Sequence, residues 1–294
     1  MIKLPSGSKS KVIFICGAGH SGSTLLGMIL GSHSHCFYSG EAIKTSYFHR
    51  DQTPLRKRMC KFCGLDCPVW SKLDINKPID IYTQIMAITQ KPVIIDSTKR
   101  ITWLQQKIAQ VIADNITPYL IFIQRDGRAV VNSRIRKSPN QDVAEIITAW
   151  VNKIRETEEL FTAFPLQKIK ISYEDLATQP ALTINHLCNF LELPYEPNMI
   201  HYYGHEHHPL GGNSGTQSLV LKLQKQEFCS PLIYKLEQQE KYYQEHPPDI
   251  KLDLRWQTEL SSEAIALFET IAGEVNQPYQ RPSQWYDKQK LSSP

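Results

Sequence analysis

A strand, a glycine-rich turn and a helix follow one another directly near the start of this chain, and that succession constrains its fold more than any other feature. Val12, Ile13, Phe14, Ile15 and Cys16 form an unbroken apolar run rich in β-branched side chains. Such a run is expected of a strand buried on both faces, as in a parallel sheet. The turn from Gly17 to Thr24 contains three glycines, and Leu25, Leu26, Met28, Ile29 and Leu30 then carry a helix expected to stop near Gly31 or Ser32. A turn of this kind points several backbone N–H groups at one spot, and the helix N-terminus adds partial positive charge there. The unit is a candidate phosphate site; the plainer alternative is a glycine turn that only lets a helix pack closely.

The pattern recurs downstream. Residues 92–95, 119–123 and 168–171 read as further buried strands. They end in the polar clusters Asp96-Ser97-Thr98-Lys99, Gln124-Arg125-Asp126 and Ser172-Tyr173-Glu174-Asp175. An amphipathic helix with Ile101, Leu104, Ile108, Val111 and Ile112 on one face follows the first of these clusters, and another helix begins near Gly127 or Arg128. Alternating strands and helices predict an α/β fold with a mostly parallel β-sheet flanked by helices. Ligands of such sheets bind at the carboxyl ends of the strands, so the polar clusters should converge on one crevice. The whole chain, 1–294, reads as one domain, with a Cys-containing insertion at 51–77 and a His- and Gly-rich lid loop at 201–217. Helices are expected near 231–245 and 261–274.

The spacing from Gly17 to Gly22, Ser23 and Thr24 nearly matches the P-loop pattern of two glycines five apart followed by Lys and Ser or Thr. Ser23 stands where the lysine would be. That lysine reaches the β- and γ-phosphates of a nucleoside triphosphate, so its absence argues against ATP or GTP. A site for one 5′-phosphate with a further anionic group beyond it fits better.

Gly19-His20-Ser21-Gly22-Ser23-Thr24-Leu25-Leu26 resembles the 5′-phosphosulfate loop of the sulfotransferases that use PAPS (3′-phosphoadenosine 5′-phosphosulfate). Arg125-Asp126-Gly127-Arg128-Ala129, continuing to Ser133, resembles that family's 3′-phosphate motif. The resemblance covers about residues 11–215 and is nearest to bacterial sulfotransferases and protein-tyrosine sulfotransferases. It implies a P-loop NTPase-like sulfotransferase fold, PAPS as donor, PAP (3′-phosphoadenosine 5′-phosphate) as product, and a hydroxyl acceptor of sugar, lipid, peptide or small-metabolite class. By the same resemblance Gly19, His20, Ser21, Gly22, Ser23 and Thr24 hold the 5′ end, and Arg125 and Ser133 hold the 3′-phosphate. Tyr173 lies against the adenine, or else is a core tyrosine with a bonded hydroxyl, and Asn213 belongs to a Gly-Asn loop that closes over the nucleotide.

Glu41, after Phe37-Tyr38-Ser39-Gly40, matches the catalytic base of these relatives, with a helix-capping glutamate as the alternative. Lys99 matches a lysine near the bridging oxygen, with a solvent-facing lysine as the alternative. His20 replaces the family's Arg or Lys; it acts either as a cation, favoured by a nearby phosphate, or as a neutral hydrogen-bond donor. Fixed donors and cations supply the electrostatic stabilisation, so no metal is required for the transfer. Arg128 and Arg134 are expected to be structural or solvated.

Seven cysteines, mostly scattered, argue against a secreted disulfide scaffold. Cys60, Cys63 and Cys67 cluster with zinc-like spacing in their first pair, but a local disulfide or free thiols is the favoured reading, and His49 and Cys36 suit a fourth ligand by type only. The histidines at 201, 205, 207 and 208 fit a lid or acceptor loop better than a metal site. A net charge of +4 suits an anionic small ligand and is too mild for a nucleic-acid partner. No apolar run approaches the ~18–20 residues of a membrane span, and a cytoplasmic enzyme is expected. Two rivals stand beside the transferase: an ATP-dependent kinase with Asp96 as its magnesium carboxylate, and a nucleotide-binding protein without catalysis.

Overall fold

The structure, a computed structural model, describes residues 10–224 and 249–280. Five parallel strands form one sheet: β1 (Lys11–Cys16), β2 (Cys36–Gly40), β3 (Val93–Asp96), β4 (Thr117–Gln124) and β5 (Lys168–Ser172). Their order across the sheet is β2-β3-β1-β4-β5. All six residues of β1 are buried, as expected for the central strand of a sheet covered on both faces. Its register pairs Ile13 with Ile95 on one side and with Tyr119 on the other.

Helices α1 (Ser23–Gly31), α2 (Ile81–Thr89), α3 (Ile101–Ala113), α4 (Gly127–Lys137) and α5 (Val143–Ala163) make the first crossovers and flanking layers. Helices α6 (Tyr173–Thr178), α7 (Pro180–Phe190), α8 (Ser214–Leu223), α9 (Trp256–Glu259) and α10 (Ser262–Asn276) complete the described part. From β1 the chain crosses to the β2 side of the sheet; from β4 it crosses to the β5 side. The order therefore reverses between β1 and β4, and a crevice opens at their carboxyl ends, the usual ligand position in such sheets.

The expected strands and the helix near 261–274 are present, while the helix expected near 231–245 lies outside the described residues. On α3, Leu104, Ile108 and Val111 are buried, but Ile112 is exposed, one position past the face that meets the sheet. Residues 51–77 hold only short 3₁₀ turns, Leu55–Lys57 and Trp70–Lys72. The lid expected over 201–217 is shorter than its composition suggested. Residues 201–204 belong to the 3₁₀ stretch Pro197–Gly204, anchored by buried Met199 and Tyr202, and α8 has already begun by Ser214.

The remaining loop covers the β2 edge. Leu210 N–H donates to Ser39 O at 2.9 Å, and Glu41 N–H donates to Leu210 O at 2.6 Å. This pairing removes an open sheet edge. It also requires a glycine at position 40: φ there is +77°, and an added Cβ would run into the Leu210 backbone. Gly40→Ala is expected to cost about 1–3 kcal/mol through strain and overpacking, read as a lowered urea midpoint at unchanged m-value.

Candidate active site

The glycine loop leaves β1 at Gly17 (φ +136°) and enters α1 through Gly22 (φ +89°), both in conformations that glycine adopts readily. Gly22 is also sterically fixed, because a Cβ there would lie 2.5 Å from the Tyr173 ring. A Cβ on Gly19 would meet nothing within 4 Å, so the loop is open on that side. No side chain caps the α1 N-terminus and its first turn holds no acidic residue, so its field is uncompensated from within the helix. Ser21, Ser23 and Thr24 are buried in the loop and the first turn.

Arg125, at the end of β4, joins this loop directly: its Nη1 donates to His20 O at 2.8 Å. Its guanidinium lies 4.1 Å from the centroid of the Tyr173 ring, and Nη2 sits 3.3 Å from the Asp253 carboxylate. Arg125 Nε is buried without a hydrogen-bond partner among the described residues, which leaves a donor for a further anion. Burial opposes ionisation of Asp253, yet the Arg255 and Arg125 guanidiniums hold its carboxyl well below the usual carboxylate range. Tyr173 is only 7% exposed, one ring face is covered by Arg125, and its hydroxyl accepts from Asp253 N–H at 3.3 Å. The ring seats Arg125 and bounds the glycine loop at Gly22.

His20 takes φ +70° and places Nδ1 3.0 Å from the Ser133 hydroxyl, so the loop and the second turn of α4 meet at one point. Burial pushes its pKa down to about 4, and Lys137, Arg134, Arg125 and Arg136 add in the same direction. The cationic role expected for His20 is thus opposed by its surroundings, and a neutral ring bonded to Ser133 is what they favour. Arg128 is structural, as expected, paired to Asp126 at 2.7 Å and stacked 4.1 Å from the Trp256 ring centroid.

Glu41 stands at the N-cap of a 3₁₀ turn, Ala42–Tyr47, but its side chain makes no cap bond. Its carboxylate is partly exposed, 3.5 Å from Lys44 Nζ, and faces Gly211. Lys99 is partly buried rather than solvated; its Nζ donates to Ile15 O at 3.3 Å, near the end of β1, and to Ser97 O. Burial lowers its pKa to about 8, while the negative charge of Glu41 works in the opposite direction. Lys99 therefore remains a cation at neutral pH.

Asp96, read from the sequence as a magnesium carboxylate for a kinase, is fully buried and saturated. Oδ1 accepts from Ala42 N–H (3.0 Å), Thr98 N–H (2.8 Å) and the Thr98 hydroxyl (2.6 Å); Oδ2 accepts from the Tyr82 hydroxyl (2.7 Å) and Trp103 Nε1 (3.1 Å). It positions the Glu41 segment and offers no open lone-pair direction to a cation. Asn213 contacts the loop through its backbone, its N–H donating to Thr24 Oγ1 at 2.9 Å. Its side-chain oxygen caps α8, accepting from Thr216 N–H at 3.0 Å.

Sequence reasoning missed Asp253 as the partner of Arg125 and His208 as a neighbour of the clustered cysteines. Asp253 carries no motif; only its proximity in space identifies it. His49 and Cys36 lie outside that cluster, which consists of Cys60, Cys63, Cys67 and His208. The other lid histidines are engaged elsewhere, His207 with Tyr202 O at 2.7 Å and His205 with Asn198 O at 3.1 Å. The six described cysteines form no disulfide. Among the described residues no helix is long and apolar enough to cross a membrane.

Comparison with known proteins finds sulfotransferases. The sulfotransferase family model matches residues 117–197, which run from β4 through α7. A Caenorhabditis briggsae protein provisionally named protein-tyrosine sulfotransferase is 28% identical over 199 residues, 66% of this chain and 69% of its own length. A Caenorhabditis elegans protein of the same provisional name is 35% identical over 88 residues, 28% of this chain and 34% of its own. The sulfotransferase domain of the Synechococcus PCC 7002 olefin synthase superposes with a TM-score of 0.57 at 17% identity, covering 96% of this chain and all of that domain. The parallel sheet, the segment around Arg125 and these relatives point the same way: the chain is similar to sulfotransferases in sequence over β4 to α7 and in fold over nearly its whole length.

Proposed function

We propose that the chain moves a sulfuryl group from PAPS to a hydroxyl acceptor. The observation that carries this reading is the bond from Arg125 to His20 O, which brings two phosphate motifs 105 residues apart to a single crevice. The open glycine loop and the uncapped α1 N-terminus fit a 5′-phosphosulfate, and the unpartnered Arg125 Nε together with the Ser133 hydroxyl fits a 3′-phosphate. PAPS supplies the activated sulfuryl group when bound. Glu41 takes the proton of the acceptor hydroxyl as the new oxygen–sulfur bond forms and the bond to the bridging oxygen breaks, releasing PAP. Lys99 offsets charge on that departing oxygen, and His20 orients Ser133 as a neutral ring. Tyr173 acts through Arg125, and the Asn213 backbone closes the lid against Thr24.

The kinase reading loses its magnesium carboxylate, because Asp96 is consumed by five donors. A non-catalytic binder has no need of a partly exposed carboxylate at Glu41 whose charge acts on the partly buried Lys99. Peptidyl tyrosine is the first acceptor to test, given the names of the nematode relatives.

Calorimetry with PAP, ADP and ATP plus magnesium tests the donor. Tight metal-independent PAP binding is expected, lost on Arg125→Ala and absent for ADP; a preference for ATP–magnesium overturns the proposal. Glu41→Gln should keep PAP affinity and lower kcat by about 10²–10⁴-fold; full turnover in that variant removes Glu41 as base. The pH profile separates the two candidate cations. Lys99 is charged below its pKa of about 8 and neutral above it, so kcat/KM should fall as pH rises through about 8. Lys99→Arg should move that limb to higher pH. His20, with its pKa near 4, should contribute no limb between pH 6 and 8; a limb in that window abolished by His20→Arg would restore it as a cation.

A further inference from the structure

Cys60, Cys63, Cys67 and His208 converge at the β2 edge, and each pair of their ligand atoms lies within 4.8 Å. His208 Nδ1 is 3.1 Å from Cys63 Sγ and 3.5 Å from Cys67 Sγ. A tetrahedral zinc ion with bonds of ~2.3 Å to sulfur and ~2.0 Å to nitrogen spaces its ligand atoms about 3.5–3.8 Å apart. The cluster already has that scale. We propose that these four residues form a closed Cys₃His zinc site of structural type.

Three independent features of the surroundings support it. First, the thiols are prepared as ligands: Phe62 N–H and Cys63 N–H both point at Cys60 Sγ, at 3.4 and 3.5 Å, and Gly64 (φ +75°) closes the turn with its N–H on Cys60 O at 3.2 Å. Second, the imidazole is oriented. Glu206 Oε1 lies 2.9 Å from His208 Nε2, which fixes the tautomer that leaves Nδ1 as the ligand nitrogen, the usual carboxylate–histidine–metal arrangement. Trp70 Nε1 holds His208 O at 2.6 Å, and Phe37 stacks on the ring. Third, a disulfide would use two of the three thiols and give no role to the oriented histidine. Soft thiolates with one imidazole in a tetrahedral set select zinc over the hard cations. All four positions are filled by protein, which marks a structural rather than a catalytic ion.

The site has a defined task in this fold. Cys63 and His208 are 145 residues apart, and the ion would tie the 51–77 insertion to the lid. Leu210, two residues past His208, forms bridges both to Cys60 and to Gly40, next to Glu41. Gly211 packs on the Glu41 carboxylate, and the Asn213 N–H reaches Thr24. The zinc ion therefore anchors the strip of chain that holds the proposed base and the lid, without touching substrate.

The test is elemental analysis of the full chain, purified without chelator or affinity metal, with thiol titration on the same sample. About one zinc per chain is expected for a single four-ligand site, with the three clustered thiols protected until a chelator is added. Cobalt(II) exchanged into the protein should give a tetrahedral thiolate spectrum. Glu206→Gln, which leaves all four ligands in place, should weaken zinc retention by about 10-fold. Cys63→Ser should lose the ion and lower Tm, and chelated wild type should show the same Tm shift, reversed by zinc, so that a misfolded variant does not decide the matter. Three outcomes overturn the proposal: less than a tenth of an equivalent after anaerobic zinc reconstitution; a mass lower by the two hydrogens of a disulfide; or full zinc content in Cys63→Ser. None of these bears on PAP binding, which is measured separately.

Discussion

One buried carboxylate organises the half of this molecule that carries Glu41 and Lys99. Asp96 ends β3 inside the protein, where an unpaired charge would be prohibitive, and it persists because five donors converge on it. Those donors come from four places: the turn after Glu41, the turn before Lys99, α2 through Tyr82, and α3 through Trp103. Burial, and then the charge of Asp96, pushes the Tyr82 hydroxyl well above its ordinary pKa, so it stays a donor. The two residues proposed to move a proton and to offset charge thus stand on either side of a single anchored turn. Their relative position is fixed by a network too buried for water to replace.

A second network does the same around Arg125. Arg125 is buried, yet its charge is balanced by Asp253 and its plane is seated on Tyr173, whose ring also bounds Gly22. Asp253 in turn pairs with Arg255 at 2.7 Å. A 3′-phosphate would therefore meet a guanidinium already held in place, in a cluster of two guanidiniums and one carboxylate that keeps a net positive charge. Binding would add an anion to an Asp–Arg–Arg cluster rather than order a loose side chain, so little conformational entropy would be lost at that contact.

Much of this architecture was legible in the sequence, because parallel strands buried on both faces leave an unmistakable apolar signature and their carboxyl ends leave polar punctuation. The glycine loop, Arg125, Ser133, Glu41 and Lys99 were read from local patterns and all lie at that end of the sheet. What sequence did not yield depends on distant contacts. Asp96 stayed open as the rival kinase's metal carboxylate because its saturation involves Tyr82 and Trp103, each from a different helix. His20 could be read either as a cation or as a neutral donor, because what lowers its pKa, burial first and then the basic residues of α4, comes from parts of the chain more than a hundred residues away. Tyr173 and Asn213 carry family motifs but spend their side chains on packing and on capping. The lid looked longer because short 3₁₀ turns have no periodicity to detect.

The strip from His208 to Asn213 shows how these parts depend on one another. It has almost no regular structure, and a free loop of this kind would be expected to open at little cost. Here its backbone is paired to the β2 edge at Leu210, its glycines fit against Glu41 and Thr24, and its first residue faces three thiols. Each contact alone is worth no more than a single hydrogen bond, about 1 kcal/mol. Because they lie within six residues, fixing one end restricts the rest, and the entropy of ordering the strip is met once rather than at every contact. An anchor at His208 would thus act on Glu41 through Leu210, a route short enough for a structural ion to govern the geometry of a proton transfer it never joins.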